Sequence, residues 1–222
     1  MHYHTLGQVP LKRHTQFRQP DGSLYHEELF STEGFSDLYS LLYHCNAPTQ
    51  IMQVGEPFSI APRTVHDKQL KHRCLKGFSI QPEDDYLKSR KPVLVNNDCK
   101  VILAAPRKSM SDYFFKNADA DEVIFIHEGT GTLRTMYGNL RFEYGDYLVV
   151  PRGTTYQLEF DGTENRLLIV ESSGPITTPK RYRNAFGQLL EHSPFCERDF
   201  RKPTELETHN ERGDFLFFIK KQ

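Results

Sequence analysis

Residues 115–156 carry the clearest structural signal in this chain and read FKNADADEVIFIHEGTGTLRTMYGNLRFEYGDYLVVPRGTTY. Short runs of β-branched and aromatic residues are separated by turn residues, as at Gly138-Asn139, Gly145-Asp146 and Pro151-Arg152-Gly153. Short strands at close, even spacing with glycine and proline turns are typical of a β-sandwich or barrel. The segment therefore predicts an all-β fold.

Apolar and polar residues alternate within two of these runs, LRFEY at 140–144 and YQLEF at 156–160. Successive side chains of a strand point to opposite faces, so each run predicts a strand with one buried and one exposed face. Gly138-Asn139 predicts a two-residue hairpin turn, because such turns need a positive φ.

The same type of pattern extends on both sides of this segment and defines the predicted organisation of the chain. Strands are expected over 93–95, 101–105, 122–127, 132–137, 140–144, 147–150, 155–160 and 166–171. The run DFLFFIKKQ at 214–222 predicts a buried strand, and 38–43 is a strand candidate among the turn residues of 1–60. We predict one structural unit: an irregular N-terminal extension (1–92) of short strands and loops packing on a barrel, and the barrel with short C-terminal strands (93–222).

Composition excludes several classes of function. The 222 residues have a formal net charge of -1, which argues against nonspecific nucleic-acid binding. No run approaches the roughly 20 apolar residues of a membrane span. The four cysteines form no C-x-x-C pair, and the N-terminus has no apolar signal region. We therefore expect a cytoplasmic protein with reduced thiols and neither nucleic-acid nor membrane partners.

The spacing of turn residues and carboxylate around 115–156 resembles the cupin superfamily, whose RmlC-like fold is a small jelly-roll barrel. Cupins carry His-x-His, four residues and Glu in a first motif, and Gly, five residues, Pro-x-Gly, two residues and His in a second. Glu122 and Gly129 match the first motif, and Gly145 with Pro151-Arg152-Gly153 matches the second.

The resemblance places the four metal-ligand positions of a cupin at Phe115, Asn117, Glu122 and Tyr156. Only the carboxylate of Glu122 is retained. A phenyl ring is not a ligand, and amide and phenol groups are poor replacements for imidazole at a transition metal. We therefore predict a barrel without bound metal or cofactor and without catalytic residues.

Other segments resemble the bacterial homogentisate 1,2-dioxygenases more closely. The N-terminal segments are RHTQFRQPDGSLY at 13–25, EELFSTEGFSDLYSLLYH at 27–44 and APT at 47–49. The segments NADADE at 117–122 and GDFLFFIKKQ at 213–222 fit as well. The resemblance extends over essentially the whole chain.

This resemblance implies a ring-cleaving oxidoreductase that converts homogentisate and O2 to maleylacetoacetate in tyrosine and phenylalanine catabolism. It also implies a non-haem Fe(II) held by two histidines and a glutamate in a second, C-terminal cupin, which we expect after Gln222. No residue of the present chain matches those ligands, so the chain alone is expected to be inactive. The implied partners are that C-terminal half and further copies, as trimers or hexamers.

Two alternatives remain at this level. A free-standing, metal-free cupin could act as a structural module or bind a small ligand in a barrel lined by Phe115, Asn117, Glu122, His127, Tyr147 and Tyr156. A small cupin enzyme such as a sugar-nucleotide epimerase would need a His-Asp or His-Tyr pair in the barrel, for which His127 and Tyr156 are the candidates.

Overall fold

The computed structural model describes residues 11–12, 14–65, 69, 71–204 and 206–221. Regular structure in this part of the chain is almost entirely β. One four-residue helix, α1 (Tyr86–Ser89), precedes the barrel, and 3-10 turns lie at Gly77–Ser79, Lys180–Tyr182 and Glu197–Asp199. The strands are β1 (His26–Glu33), β2 (Ser36–His44), β3 (Lys91–Val95), β4 (Cys99–Ala104), β5 (Phe114–Asn117), β6 (Asp121–Glu128), β7 (Gly131–Thr135), β8 (Gly138–Phe142), β9 (Tyr147–Val150), β10 (Thr155–Phe160), β11 (Arg166–Ser172) and β12 (Phe217–Lys220).

The described residues belong to two compact units. The barrel unit covers Pro62–Glu207 and the C-terminal residues from Asp214, and the hairpin unit contains the residues up to Ala61 together with Thr208–Gly213. The division therefore falls near residue 61, whereas the sequence placed the start of the barrel at residue 93. The physical reason is that α1 and β3 belong to the barrel: Tyr86 is 1% exposed in its core, and β3 pairs with β4.

The hairpin unit is built on the antiparallel pair β1–β2, which runs from His26 opposite His44 to Glu33 opposite Ser36. The sequence predicted a strand at 38–43, inside β2, but not β1. The β1 run HEELFSTE has no clear apolar–polar alternation. Its strand conformation follows from pairing with β2, so local sequence carried little signal for it.

The barrel unit is a sandwich of two five-stranded sheets around one core. Their strand orders are β12-β5-β10-β7-β8 and β3-β4-β11-β6-β9, so neighbours in space are mostly not consecutive in sequence. Both sheets contribute buried side chains to a common cluster, among them Ile102, Phe115, Ile124, Leu133, Phe142, Tyr156, Leu158 and Ile169. The chain thus has the all-β jelly-roll architecture that the turn and strand pattern predicts.

The β7–β8 hairpin turns two residues earlier than the sequence predicted. Thr135 is paired with Gly138, so the two-residue loop is Met136-Tyr137, and Gly138 is the first residue of β8. The Thr135 hydroxyl accepts a hydrogen bond from the Tyr137 amide at 3.0 Å and donates to the Gly138 carbonyl at 2.8 Å. Gly138 still supplies the positive φ, 111°, that the end of this turn requires.

The C-terminal strand β12 lies at the edge of its sheet, where it pairs in parallel with β5. Its residues are alternately exposed and half-buried, with Phe217 and Ile219 outward and Phe218 and Lys220 inward. The sequence predicted a buried strand, because the five successive residues from Phe215 to Ile219 are apolar. An edge position explains the difference, since one face of β12 packs on the barrel and the other remains exposed.

Candidate functional site

Two carboxylates face each other inside the barrel. Glu122 on β6 is paired directly with Glu171 on β11, and their side chains are 0% and 3% exposed. Both residues continue inward-facing apolar rows of their strands, with Ile124 beyond Glu122 and Ile169 beyond Glu171. Like charges directly opposite each other in a sheet repel, and burial increases the cost. This pair therefore needs a cation.

Arg90, which follows α1, supplies that cation. Its Nη2 nitrogen lies 2.6 Å from Glu122 Oε1 and 2.6 Å from Glu171 Oε1. Its Nη1 nitrogen donates to the Tyr86 hydroxyl at 3.0 Å, and the guanidinium lies over the rings of Tyr86 and Phe115 at 5.4 and 5.5 Å. The Arg90 side chain is only 9% exposed, so these charge-assisted hydrogen bonds are largely shielded from water.

The two remaining carboxylate oxygens also have partners. The Tyr156 hydroxyl donates to Glu122 Oε2 at 2.8 Å, and Lys220 Nζ on β12 donates to Glu171 Oε2 at 2.7 Å. With two carboxylates and two cations, the cluster has no net charge. We call Arg90, Glu122, Glu171 and Lys220 the ion cluster.

Burial and the ion cluster together hold the neighbouring phenols protonated. Burial raises the pKa of Tyr86 to about 12, and the charge of Glu122 also raises it. Burial, with Glu122, holds the pKa of Tyr156 well above its ordinary value. Burial alone would lower the pKa of Arg90, but Glu122 first and then the neighbouring phenols and Glu171 raise it well above its ordinary value. These groups therefore remain protonated near neutral pH and can donate hydrogen bonds.

The structure brings together the four positions that correspond to cupin metal ligands. Phe115 and Tyr156 are 4% and 1% exposed, and their rings meet edge to face at 5.5 Å. The Asn117 amide donates to Glu171 Oε1 at 3.2 Å, while its oxygen accepts hydrogen bonds from the amides of Asp119 and Ala120. Asn117 thus stabilises the turn before β6 instead of presenting a free donor to the interior.

The Fe(II) that the resemblance implies does not fit these residues. Both oxygens of Glu122 are engaged, one by Arg90 and one by Tyr156. The guanidinium occupies the space beside the carboxylates and repels a second cation. Within the described ranges, no group of three histidine, cysteine, aspartate or glutamate side chains is arranged to hold a metal ion. No reaction step can be assigned to iron in this barrel.

Two residues that the sequence placed in the barrel lining lie on its outside. On β6, Ile124 and Ile126 are fully buried, so the residues that alternate with them, Val123, Phe125 and His127, face outward. His127 contacts Phe78 at a ring distance of 4.7 Å, and Tyr147 is 68% exposed beside Phe125. The prediction of barrel lining for His127 and Tyr147 is therefore wrong. The pair of His127 with Tyr156 is also excluded, because Tyr156 is buried in the interior.

Three residues of the ion cluster were missed by sequence reasoning. Glu171 and Lys220 could have been found from alternation, since each occupies the inward position of its strand after Ile169 and Phe218. Arg90 carries no such signal. It follows a four-residue helix and is 32 positions from Glu122 and 81 from Glu171, so only the tertiary fold brings them together.

The outer surface of the sheet β3-β4-β11-β6-β9 forms a second feature, which we call the apolar face. Its members are aligned by strand register in two rows, Leu103-Leu168-Phe125-Tyr147 and Leu94-Val101-Val170-Val123-Val149. Leu94, Tyr147 and Val149 are 58%, 68% and 50% exposed. By contrast, the outer surface of the other sheet carries surface ion pairs such as Arg134–Glu159. An exposed apolar surface of this extent is typical of an interaction site.

The helices in the described part of the chain include none long and apolar enough to cross a membrane.

Solved structures with a similar fold are cupins or small β-barrel proteins. A cupin-2 domain protein of Shewanella frigidimarina is 24% identical, with a TM-score of 0.34 over 38% of this chain and 79% of that one. KdgF from Halomonas is 15% identical, with a TM-score of 0.35 over 39% of this chain and 78% of that one.

Relatives in sequence carry dioxygenase names. A Saccharolobus solfataricus protein described as a "putative dioxygenase" is 37% identical over 218 residues, which are 98% of this chain and 56% of that protein. The homogentisate 1,2-dioxygenase of Legionella pneumophila is 34% identical over 73 residues, 32% of this chain and 18% of that enzyme. The chain thus spans little more than half the length of the first relative.

The family described as "Homogentisate 1,2-dioxygenase N-terminal" matches residues 87–213, from α1 through β11 and beyond. This range contains Arg90, Glu122 and Glu171 of the ion cluster. The chain belongs to the homogentisate 1,2-dioxygenase N-terminal family, with a cupin-type barrel.

Proposed function

We propose that this chain is the iron-free, supporting half of a dioxygenase that opens the ring of homogentisate to maleylacetoacetate in tyrosine and phenylalanine catabolism in the cytoplasm. The observation that carries the proposal is the ion cluster. Arg90 Nη2 lies between the two buried carboxylates, at 2.6 Å from an oxygen of each. A centre filled in this way supports a structural role, and the chemistry then belongs to residues outside this chain.

Ring opening needs a group that binds both the substrate and O2. Two imidazoles and a carboxylate on Fe(II) leave open positions for these ligands. The residues that would hold the iron are expected in a second cupin outside this chain. Within the present chain, the barrel contributes a rigid, charge-neutral body on which that second cupin packs.

The apolar face is the surface that we assign to this packing. The Saccharolobus relative extends well beyond the matched part, which takes up 56% of its length. The part of that relative outside the match, a little less than half of its length, is long enough for a second barrel. Leu94, Tyr147 and Val149 would lose their exposed area on docking, which is favourable by roughly 25 cal/mol per Å² of apolar surface. Assembly of such two-barrel chains into trimers or hexamers is part of the same proposal.

The experiment compares two proteins loaded with Fe(II) under the same conditions: this chain alone, and this chain extended by the part of the Saccharolobus relative that lies outside the match. Homogentisate-dependent O2 consumption and the absorbance of maleylacetoacetate report activity. We expect no turnover by this chain alone and turnover by the extended protein. Turnover by this chain alone, or no turnover by an extended protein that folds and binds iron, would overturn the proposal.

A free-standing ligand-binding module is less well supported. Such a role needs open space at the barrel centre, but the side chains of Arg90, Phe115 and Tyr156 are packed there and are buried. No observation favours this second function over the first.

A further inference from the structure

The position of one nitrogen atom in the ion cluster suggests what Arg90 does. Arg90 Nη2 is equidistant, at 2.6 Å, from carboxylate oxygens of Glu122 and Glu171. Hard divalent cations bind carboxylate oxygens in a comparable way, and Ca²⁺–oxygen distances are about 2.3–2.6 Å. The nitrogen therefore lies where the two carboxylates would hold a metal ion.

The surrounding contacts show that this cation position is built into the fold. Glu122 and Glu171 are held opposite each other by the β6–β11 register, and their outer oxygens are fixed by Tyr156 and Lys220. Arg90 enters from outside both strands, on the segment after α1. Removal of its side chain would leave two aligned, buried carboxylates with only Lys220 as a partner cation.

We infer that Arg90 is the resident cation of this barrel: its guanidinium takes the place of a metal ion between Glu122 and Glu171, and the two carboxylates accept an external cation only when that guanidinium is removed. In the native chain Arg90 thus neutralises the two buried carboxylates, and the barrel needs no metal ion for this purpose. This inference concerns the chain by itself and does not depend on the proposed dioxygenase function.

The test uses the full chain with Arg90→Ala and measures the unfolding temperature with and without millimolar methylguanidinium or Ca²⁺. Loss of one partner from a buried ion cluster lowers the unfolding temperature by about 10 °C in a protein of this size. We expect each added cation to recover at least a third of that loss in Arg90→Ala and to leave the wild-type unfolding temperature unchanged. Arg107→Ala, at an exposed arginine, is the matched control and should respond to neither cation.

A second variant locates the effect. In Arg90→Ala/Glu122→Gln one of the two carboxylates is gone, so recovery by Ca²⁺ should disappear. If Arg90→Ala does not fold unaided, refolding yield from denaturant with and without the same cations gives the equivalent readout. The inference is overturned if neither cation recovers Arg90→Ala, if wild type or Arg107→Ala is stabilised equally, or if the double variant still responds to Ca²⁺.

Discussion

Glu122 and Glu171 are directly opposed across β6 and β11 inside the barrel, and one nitrogen of Arg90 bonds to both at 2.6 Å. This relationship joins three separate parts of the chain. It places a protein cation between the two buried carboxylates, and it explains how a barrel that retains the cupin carboxylate Glu122 can be stable without the cupin histidines.

Replacing one carboxylate of the cluster should be strongly destabilising. Glu171→Gln leaves Arg90 and Lys220 with a single carboxylate between them, and breaking a buried pair costs about 3–5 kcal/mol. Urea unfolding followed by circular dichroism measures the loss. Glu159→Gln is the control, because its ion pair with Arg134 is 48% and 31% exposed and should contribute less than about 1 kcal/mol. Equal losses in the two variants would contradict the assigned role of Glu171.

The ion pair of Lys220 with Glu171 should stabilise the C-terminal strand β12 against local opening. Lys220→Met keeps the aliphatic stem but removes the ion pair with Glu171, whose side chains are 9% and 3% exposed. We expect the amides of β12 to exchange with deuterium about tenfold or more faster, while those of β6 and β11 change less, since local opening is governed by local contacts. Lys221→Met, at the exposed neighbouring lysine, should leave exchange unchanged. Unaltered protection of the β12 amides in Lys220→Met would contradict this role of Lys220.

The buried phenols predict a loss of stability at high pH. An unfolded tyrosine releases its proton near pH 10, whereas burial and Glu122 raise the pKa of Tyr86 to about 12 in the folded protein. The unfolded state therefore binds fewer protons in this range, and the free energy of unfolding falls as pH rises from about 10 to 12. The contribution is fully present below about pH 10.

Urea midpoints measured between about pH 9 and 11.5 test this dependence. Tyr86→Phe removes one titrating group, so its midpoint should fall less steeply with pH than that of wild type. Tyr39→Phe, at a tyrosine that is 66% exposed, should keep the wild-type slope. A slope that is the same in all three proteins would exclude Tyr86 as a source of the alkaline instability.

The apolar face should drive association of the chain when it is expressed alone. Val149→Lys places a charge on the edge strand β9, at the end of a row in which Val149 is paired with Val123, and Val149 is 50% exposed, so folding should be little affected. Light scattering at high concentration should show a smaller mean mass for this variant than for wild type. Asn139→Lys, on β8 of the opposite sheet, is the control for added charge. Wild-type chain that stays monomeric at every concentration tested would contradict the prediction.

Most strands could be predicted because their signal is local. The runs that became β9 and β10 match the predicted bounds; β6 is longer than predicted by one residue at each end and β11 by one residue at its C-terminal end. Strand β5 was missed, although β9 is equally short and was predicted. Its position depends on pairing with β10 on one side and β12 on the other.

The candidate site was only partly predictable. Glu122 was found from motif spacing, and the absence of imidazoles at Phe115, Asn117 and Tyr156 was evident from the same count. His127 and Tyr147 were assigned to the interior from residue type alone. Whether such a side chain points inward or outward depends on which alternate residues of its strand face the core. On β6 these are Ile124 and Ile126, which are fully buried in the structure.

Sequence by itself determined that this chain is an all-β cupin-type protein with a retained carboxylate and no histidine ligands, because turn residues and period-two alternation act over a few positions. Tertiary structure alone decided which cations neutralise the buried carboxylates. Arg90 lies 81 residues from Glu171 and Lys220 lies 49, and ion pairing at such separations follows from the strand order that brings β6, β11 and β12 around one interior. The charges of the ion cluster balance only in the assembled barrel. A local sequence pattern therefore cannot predict this balance.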